Sequence, residues 1–329
     1  MRVMTSPFSV IQNVFPMVGR DGVCDTRYLY YATNGRQSTE DYKGHHPAWR
    51  NSFIELPDLR IQHAIVEMLE PFDDLIENNR RRVEVLEEMA RAIYREWFVY
   101  FRFPGHERVD LVDSALGVIP AGWVVSTCGD ELAFIGGGTP SKKVETFWDS
   151  GTVPWYTPSD LTKERWRYAA PPELRITEAG VAKSSARKFP SGSVLMTSRA
   201  TLGVLAIATA EATTNQGFIV MLPDGRWSPG YIREWLAAHE VELAAIGTGA
   251  TFKEITKGAL KRFPLVVPSR NVLDEHRRAT DPLEAEIENL EREIRVLSGL
   301  RDLLLPKLVT GQIDISTLDL DVMVEGAVA

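Results

Sequence analysis

A chain of 329 residues, 44% hydrophobic and 25% charged, is long enough for two globular domains, which excludes a disordered or fibrous protein. Its net charge of −8 argues against a protein that coats nucleic acid through bulk positive charge. No stretch reaches the roughly 18 consecutive apolar residues that a membrane span needs, and the N-terminus has no signal-peptide core. The two cysteines, Cys24 and Cys128, match no metal-ligand or redox spacing. We therefore expect a cytoplasmic protein that makes no contact with membranes.

The segment that follows residues 1–56 is predicted to be a long helix over residues 57–104. Its apolar positions alternate in steps of four and three, a 3.5-residue period that is typical of a coiled coil. The stripe consists of Ile65, Leu69, Phe72, Ile76, Asn79, Val83, Leu86, Ala90, Ile93 and Trp97. A helix with one such stripe needs a partner helix.

Residues 105–268 have a different pattern, with short alternating runs broken by Gly, Pro, Ser and Asn. These runs predict short strands, followed by a helix near Pro229 to Leu243. The end of this segment predicts a Gly/Thr loop, a short helix with Thr256 as its N-cap, and a strand that stops at Pro268. The predicted fold class is therefore α+β. Between Gly117 and Pro268 the charge is +2, so the rest of the chain carries −10.

A second long helix is predicted over residues 269–311, and it repeats the first. A single gapless offset of 211 residues pairs Pro71 with Pro282 and Ile76-Glu77-Asn78 with Ile287-Glu288-Asn289. The second stripe comprises His276, Thr280, Leu283, Ile287, Leu290, Ile294, Leu297, Arg301, Leu304 and Leu308. We expect the two helices to pair antiparallel, either within one chain or head to tail between two copies, and each proline to mark a kink or a helix start. Residues 312–329 form a C-terminal tail.

The repeat extends to the N-terminal 56 residues, which we interpret as the remnant of a second unit. DTRYLYY at 25–31 precedes Pro57 much as SPGYIREWL at 228–236 precedes Pro268. One full unit is therefore expected, preceded by the end of another.

Several motifs resemble the DNA specificity subunit of type I restriction-modification systems. They are Gly137-Gly138-Thr139-Pro140-Ser141, Thr214-Asn215-Gln216-Gly217, and Leu303 to Leu308 followed by Thr310-Gly311-Gln312-Ile313. The usual layout of that family is two target recognition domains, each followed by a long helix. The resemblance implies one complete target recognition domain at 105–268 and a first one that is reduced to residues 1–56.

The same resemblance implies a non-catalytic subunit that reads double-stranded DNA, docks methyltransferase subunits through its helices and recruits the restriction subunit. The candidate partner interface on the helices comprises Ile76, Val83, Leu86, Ile93, Trp97, Ile287, Leu290, Ile294, Leu297, Leu304 and Leu308. Packing or oligomerisation alone is an alternative role for these helices. A second hypothesis for the whole chain is an interaction protein that occupies methyltransferase subunits without recognising a complete site.

No catalytic motif stands out in the chain. There is no Walker A loop, no Asn/Asp-Pro-Pro-Tyr/Phe motif and no glycine fingerprint after a strand, so we expect neither a cofactor nor enzymatic activity. The six histidines have no metal-ligand spacing, and His45-His46 is expected at the surface rather than at a metal.

Candidate DNA-binding residues are chosen as cations for phosphates and as amides, hydroxyls or guanidinium groups for base edges, carried by predicted loops. They are Ser141, Lys142, Lys143, Tyr156, Thr157, Ser198, Arg199, Asn215, Gln216, Thr251 and Lys253. For five of these residues the sequence allows another role. The two lysines are equally compatible with a solvated turn, Arg199 with an internal salt bridge, and the two amides with a loop cap.

Overall fold

The computed structural model describes residues 16–33, 53–199, 201–249 and 253–315. The chain divides into two compact units, one formed by residues 1–81 with 292–329 and the other by residues 82–291. We call them the helical unit and the mixed unit. This division cuts across both long helices, whereas the sequence places domain boundaries at the helix ends. No helix in the described ranges is long and apolar enough to cross a bilayer.

The helices are α1 (Thr26–Thr33), α2 (Leu59–Tyr94), α3 (Cys128–Glu131), α4 (Pro158–Thr162), α5 (Glu178–Ala182), α6 (Pro229–Ala238), α7 (Glu240–Ala245), α8 (Lys257–Lys261) and α9 (Arg270–Val309). A π-helical turn over Arg95–Val99 extends α2. The strands are β1 (Leu111–Ser114), β2 (Gly117–Pro120), β3 (Val124–Thr127), β4 (Ala133–Gly136), β5 (Val153–Tyr156), β6 (Arg175–Ile176), β7 (Val194–Thr197), β8 (Leu205–Ile207), β9 (Thr213–Thr214), β10 (Phe218–Leu222) and β11 (Pro264–Val267). The α+β prediction is confirmed.

The two long helices begin and end where capping groups are available. The side chain of Asp58 accepts hydrogen bonds from the backbone N–H groups of Arg60 (3.0 Å) and Ile61 (3.1 Å), which starts α2. At the same end of the pair, α9 ends at Val309, and Gly311 follows with a φ of 68°, a backbone conformation that favours glycine. Pro71 and Pro282 lie inside α2 and α9, so the helix-start alternative for these prolines was wrong.

In the mixed unit, α2 and α9 pair antiparallel, as predicted. Arg82 of α2 forms a salt bridge with Glu286 of α9 at 2.5 Å, and Phe98, just after α2, packs against His276 with ring centroids 4.9 Å apart. Residue numbers therefore rise on one helix as they fall on the other. Since both helices belong to one chain, the pairing is intramolecular here.

Every position of the two predicted stripes is buried or half-buried, although the structure does not test their role as a partner interface. The buried members are Ile65, Leu69, Ile76, Asn79, Ala90, His276, Thr280, Ile287, Leu290, Ile294 and Leu308, and the others are half-buried. In the helical unit, Ile65 and Leu69 belong to one apolar core with Leu305 and Leu308. A 3.5-residue apolar period thus identified the buried face of both helices.

His276 is a polar member of the stripe that the fold keeps uncharged. Its ring is 1% exposed and is surrounded by Trp97, Phe98 and Tyr231. Burial lowers the pKa of His276 to about 4, against an opposing effect of the Glu284 charge. Neither ring nitrogen has a hydrogen-bond partner among the described residues. The imidazole therefore serves as an aromatic packing element at neutral pH.

Helix α1 shows that the N-terminal segment has a structural role in the helical unit. Tyr28, completely buried, lies in the same core as Ile65 and Leu305, and its hydroxyl donates to the carbonyl of Glu55 at 2.7 Å. In the mixed unit, Tyr231 of α6 lies in one core with Ile287. The correspondence between DTRYLYY and SPGYIREWL therefore holds in the packing of each unit.

The mixed unit is built on a four-stranded antiparallel sheet in the order β4-β10-β7-β8. A three-stranded sheet, β6-β5-β9, and two antiparallel strand pairs, β1-β2 and β11-β3, complete it. Thr256 caps α8 by accepting from the N–H of Ala259 at 3.1 Å, and β11 ends before Pro268, both as predicted. The predicted helix near 229–243 is instead two helices, α6 and α7, which meet at His239.

A buried ion cluster joins the sheet region of the mixed unit to α9. The side chain of Arg167 is completely buried, and it donates to Glu284 (Nε to Oε2, 2.8 Å) and to Glu234 (Nη1 to Oε1, 2.8 Å). The backbone N–H groups of Arg167 and Tyr168 donate to the two carboxylate oxygens of Glu291 at 2.7 and 2.8 Å. Burial alone lowers the pKa of Arg167, but hydrogen bonds and charges from Glu284 and Glu234 raise it above its ordinary value, so the cation persists.

We predict that Arg167→Met destabilises the mixed unit by about 3–5 kcal/mol, because it leaves buried carboxylates without their counter-charge. Urea unfolding followed by tryptophan fluorescence measures this, since seven of the eight tryptophans lie in residues 82–291. Lys163→Met is the matched control, because its pair with Glu173 is exposed and should not change the midpoint. Equal effects of the two substitutions would contradict a special role for Arg167.

Candidate functional site

One edge of the four-stranded sheet brings together most of the loops that carry the predicted binding residues. Strands β4 and β7 both end at this edge, and β10 begins there, because β10 lies antiparallel between them. Gly136 at the end of β4 pairs with Ile219, and Thr197 at the end of β7 pairs with Phe218. The loops after β4 and β7 and the loop before β10 are therefore neighbours. We call this region the loop edge.

Two of the motifs that resemble the family meet at the loop edge. The N–H of Gly138 donates to the carbonyl of Thr214 at 2.9 Å, and the hydroxyl of Thr139 donates to Oε1 of Gln216 at 2.6 Å. A Cβ on Gly137 would lie 2.0 Å from the carbonyl oxygen of Asn215. Glycine is needed here because the two backbone segments approach each other too closely for a side chain.

Asn215 and Gln216 have different surroundings within one loop. The side-chain oxygen of Asn215 accepts from the N–H of Gly217 at 2.8 Å, so this amide caps the loop. Gln216 is exposed, and only its bond to Thr139 is recorded among the described residues. Gln216 therefore keeps its amide N–H groups for an outside acceptor, whereas Asn215 shapes the loop.

Ser198 and Arg199 follow β7 at the loop edge, and the structure separates their roles. Ser198 is 2% exposed, and its backbone bonds to Gly217 and Ile255. Its predicted DNA contact therefore does not fit its position, because the side chain lies inside the fold. Arg199 is 48% exposed and forms a salt bridge with Glu254 at 2.9 Å, in agreement with the internal alternative for this residue.

Tyr156 ends β5 and Thr157 follows it, and neither presents a free polar group. Tyr156 is 3% exposed and packs with Leu161 and Phe218, so its prediction as a surface contact also needs correction. Thr157 caps α4 in a reciprocal arrangement with Asp160, whose carboxylate accepts from both the N–H and the hydroxyl of Thr157 at 2.7 Å.

The strongest cationic candidates lie on exposed loops. Ser141, Lys142 and Lys143 are exposed in the turn that follows Thr139, and the carbonyl of Ser141 accepts from the indole of Trp148 at 3.2 Å. Lys253 is also exposed. Thr251 lies outside the described residues. The turn of Ser141 to Lys143 is thus held at its base while its two amino groups face solvent.

Lys257 is a cation that the sequence interpretation missed. Its Nζ lies against Gly136, close enough that a Cβ on the glycine would approach it to 3.1 Å. Its position on the exposed side of α8, directly after the capping Thr256, is the only sequence signal that would have indicated it. Gly136 thus leaves room for an amino group at the end of β4.

Among the described residues, no group of three or more His, Cys, Asp or Glu side chains is arranged to hold a metal ion. The loop edge instead gathers backbone polar groups, an exposed amide and several lysines. Such a surface is suited to binding the phosphates of a polyanion and to hydrogen-bonding with the polar edges of bases.

Comparison with known proteins gives this arrangement a context. The type I restriction modification DNA specificity domain matches residues 120–297, which include the loop edge. A specificity subunit of the type I restriction enzyme MjaIX from Methanocaldococcus jannaschii is 34% identical over 194 residues, covering 57% of this chain and 44% of that protein. The EcoR124I/EcoR124II specificity subunit from Escherichia coli is 26% identical over 294 residues, covering 82% of this chain and 67% of that protein. The chain thus spans less than half the length of the first relative.

A solved structure is similar in fold. The S subunit of a type I restriction-modification system from M. genitalium superposes with a TM-score of 0.52 at 14% identity, covering 88% of this chain and 74% of that chain.

We predict that Gly138→Ala destabilises the mixed unit by about 1–3 kcal/mol, since overpacking forces the backbone to shift. The added Cβ would lie 2.1 Å from the hydroxyl of Ser185 and 2.5 Å from its carbonyl carbon. Gly258→Ala in α8 is the control, because its Cβ would meet nothing closer than 3.8 Å. Urea unfolding of both variants measures the difference, and an unchanged midpoint for Gly138→Ala would refute the close approach of Gly138 to Ser185.

Proposed function

Because this chain belongs to the type I restriction modification DNA specificity family, we propose that it is a DNA-recognition subunit that directs methyltransferase and restriction subunits to a target site in the cytoplasm. The mixed unit reads the DNA and performs no catalysis itself. The observation that carries this proposal is the loop edge, where loops from three neighbouring strands present an exposed amide and lysines within the family's matched region.

The division of labour at the loop edge follows from chemistry. Lys142 and Lys143 are exposed on a turn whose base is fixed, which suits electrostatic contact with phosphates. Gln216 presents an amide, and glutamine pairs with adenine through its N6 and N7 atoms in the major groove. We therefore assign the two lysines to phosphates and Gln216 to a base edge.

The paired helices α2 and α9 supply the scaffold on which we propose that methyltransferase subunits dock. Their stripe residues are buried or half-buried within each unit, so partner contact falls to the outward faces of the helices. Ile76, Val83 and Leu86, together with the other predicted interface residues, then act indirectly, because they hold the scaffold in shape. The domain boundaries at 56, 104, 268 and 311 remain our proposed functional division of the chain.

We predict that combining Lys142→Ala with Lys143→Ala weakens binding about equally for specific and random duplexes. Loss of two phosphate contacts should flatten the dependence of log K on log salt by roughly two units of slope. Fluorescence anisotropy over a series of salt concentrations measures this. If the slope stays the same, the lysines belong to a solvated turn, as their sequence equally allows.

We further predict that, with its partner methyltransferase, the chain directs adenine methylation to a motif that a single recognition module specifies. Intramolecular pairing of α2 with α9 leaves one module for each chain, so the motif should be short and not palindromic. Single-molecule methylome sequencing of cells that carry both proteins tests this. A bipartite motif with two different halves would contradict it, because it requires a second recognition surface.

Two other outcomes of the same experiment have clear meanings. An interrupted palindrome would indicate two chains that associate head to tail, since a two-fold protein requires a two-fold site. Absence of methylation, with the methyltransferase still co-purifying, would favour the interaction protein that occupies its partners without reading a complete site.

A further inference from the structure

A second cationic surface of the mixed unit lies next to the loop edge. It is a cavity of about 660 Å³ between the end of α2 and the loop that joins β7 to β8. Arg91, Arg95, Arg165, Trp166 and Arg233 contribute to its lining, and we call it the arginine groove. Four guanidinium groups around one cavity are unexpected in a chain whose net charge is −8.

Two of the four arginines are not needed by the fold. Arg95 and Arg165 are exposed, and neither forms a salt bridge or side-chain hydrogen bond within the described part of the chain. The others are partly engaged. Arg91 pairs with Glu88 at 2.5 Å, and Arg233 pairs with Glu234 at 2.8 Å and Glu87 at 3.3 Å.

The lining itself contains four arginines and two carboxylates. Glu234 lines the cavity but is buried and already holds Arg167 at 2.8 Å as well as Arg233. Glu240 is the other carboxylate of the lining. The Nε of Arg233 is buried and has no hydrogen-bond partner among the described residues. Within the described part of the chain, Arg95 and Arg165 therefore have no acidic partner, and Arg233 has an unused donor.

The position of the groove connects it to the loop edge. Its wall includes Thr201 to Leu205, and Arg199 at the loop edge lies two residues before Thr201 on the same loop. On the opposite wall, Arg91 and Arg95 are one helical turn apart, about 6 Å along the axis at 1.5 Å per residue. The groove and the loop edge thus share the loop that joins β7 to β8.

We propose that the arginine groove binds the phosphate backbone of the DNA beside the bases that the loop edge reads, with Arg95 and Arg165 as the phosphate contacts. The inference rests on the proposed DNA-recognition function. A guanidinium group fits phosphate because its planar donors bond two oxygens at once. DNA is favoured over an acidic protein segment because the groove continues a surface already assigned to DNA. Its role is to position the duplex, and it adds affinity without reading sequence.

The test uses the full-length chain with Arg95→Ala and Arg165→Ala combined. Both side chains are exposed, so the variant should unfold at the same urea concentration as the unmodified chain. We expect the slope of log K against log salt to flatten by roughly two units for specific and random duplexes alike, with their affinity ratio unchanged. The combination of Arg95→Lys with Arg165→Lys should keep most of the slope, since lysine still neutralises a phosphate.

Arg108→Ala with Arg278→Ala is the matched control, because both arginines are exposed in the same unit and neither lines the groove. It should leave the slope unchanged. An unchanged slope for the Arg95 and Arg165 variant, with the unmodified chain still binding DNA, would overturn the groove proposal alone. Loss of co-purification with the methyltransferase at an unchanged slope would also overturn it and would identify the groove as a protein-docking site. If the unmodified chain bound no DNA with or without its partner, the proposed function itself would fail.

Discussion

One buried cation, Arg167, determines how the sheet region of the mixed unit is attached to its long helices. Its guanidinium group donates to Glu234 of α6 and to Glu284 of α9. Its backbone N–H donates to Glu291, which lies seven residues after Glu284 on α9. An ion pair without solvent is costly to form, so it adds little net stability compared with an apolar contact. The ion cluster instead orients the sheet region, because that region must be placed so that Arg167 reaches all three carboxylates at once. The loop edge and the arginine groove both depend on that placement.

The long helices were predictable from the sequence because a buried stripe repeats at every turn. The period of 3.5 residues depends only on which side chains are apolar, and the offset of 211 residues identified the partner. Even the polar members of the stripe, such as Asn79 and His276, are buried where the period places them. A repeated pattern of this kind can be recognised in the sequence without knowledge of the rest of the fold.

The candidate site was less predictable, because its members are joined by the order of strands in the sheet. The loop after β4 meets the loop before β10 across some eighty residues of chain, and no local pattern gives that pairing. Tyr156 and Ser198 stand at strand ends and were predicted to face solvent, yet the adjoining core covers both. Arg167 carried no signal at all, since an arginine between two aromatic residues ordinarily lies at the surface. The motifs with Gly137 and Gln216 were recognised as characteristic, but only the structure shows that they bond to each other.

The corresponding place in the helical unit is filled differently. Asp73 precedes Glu284 by 211 residues, and its carboxylate accepts from the hydroxyl of Tyr31 at 2.7 Å and from Arg301 at 2.6 Å. Arg301 is the repeat equivalent of Ala90, a small and buried residue of the mixed unit. Each unit thus neutralises its acid with an arginine, one supplied by the helix itself and the other by the sheet region. A copy of residues 105–268 placed on the helical unit would therefore bring a second guanidinium group to an acid that already has one.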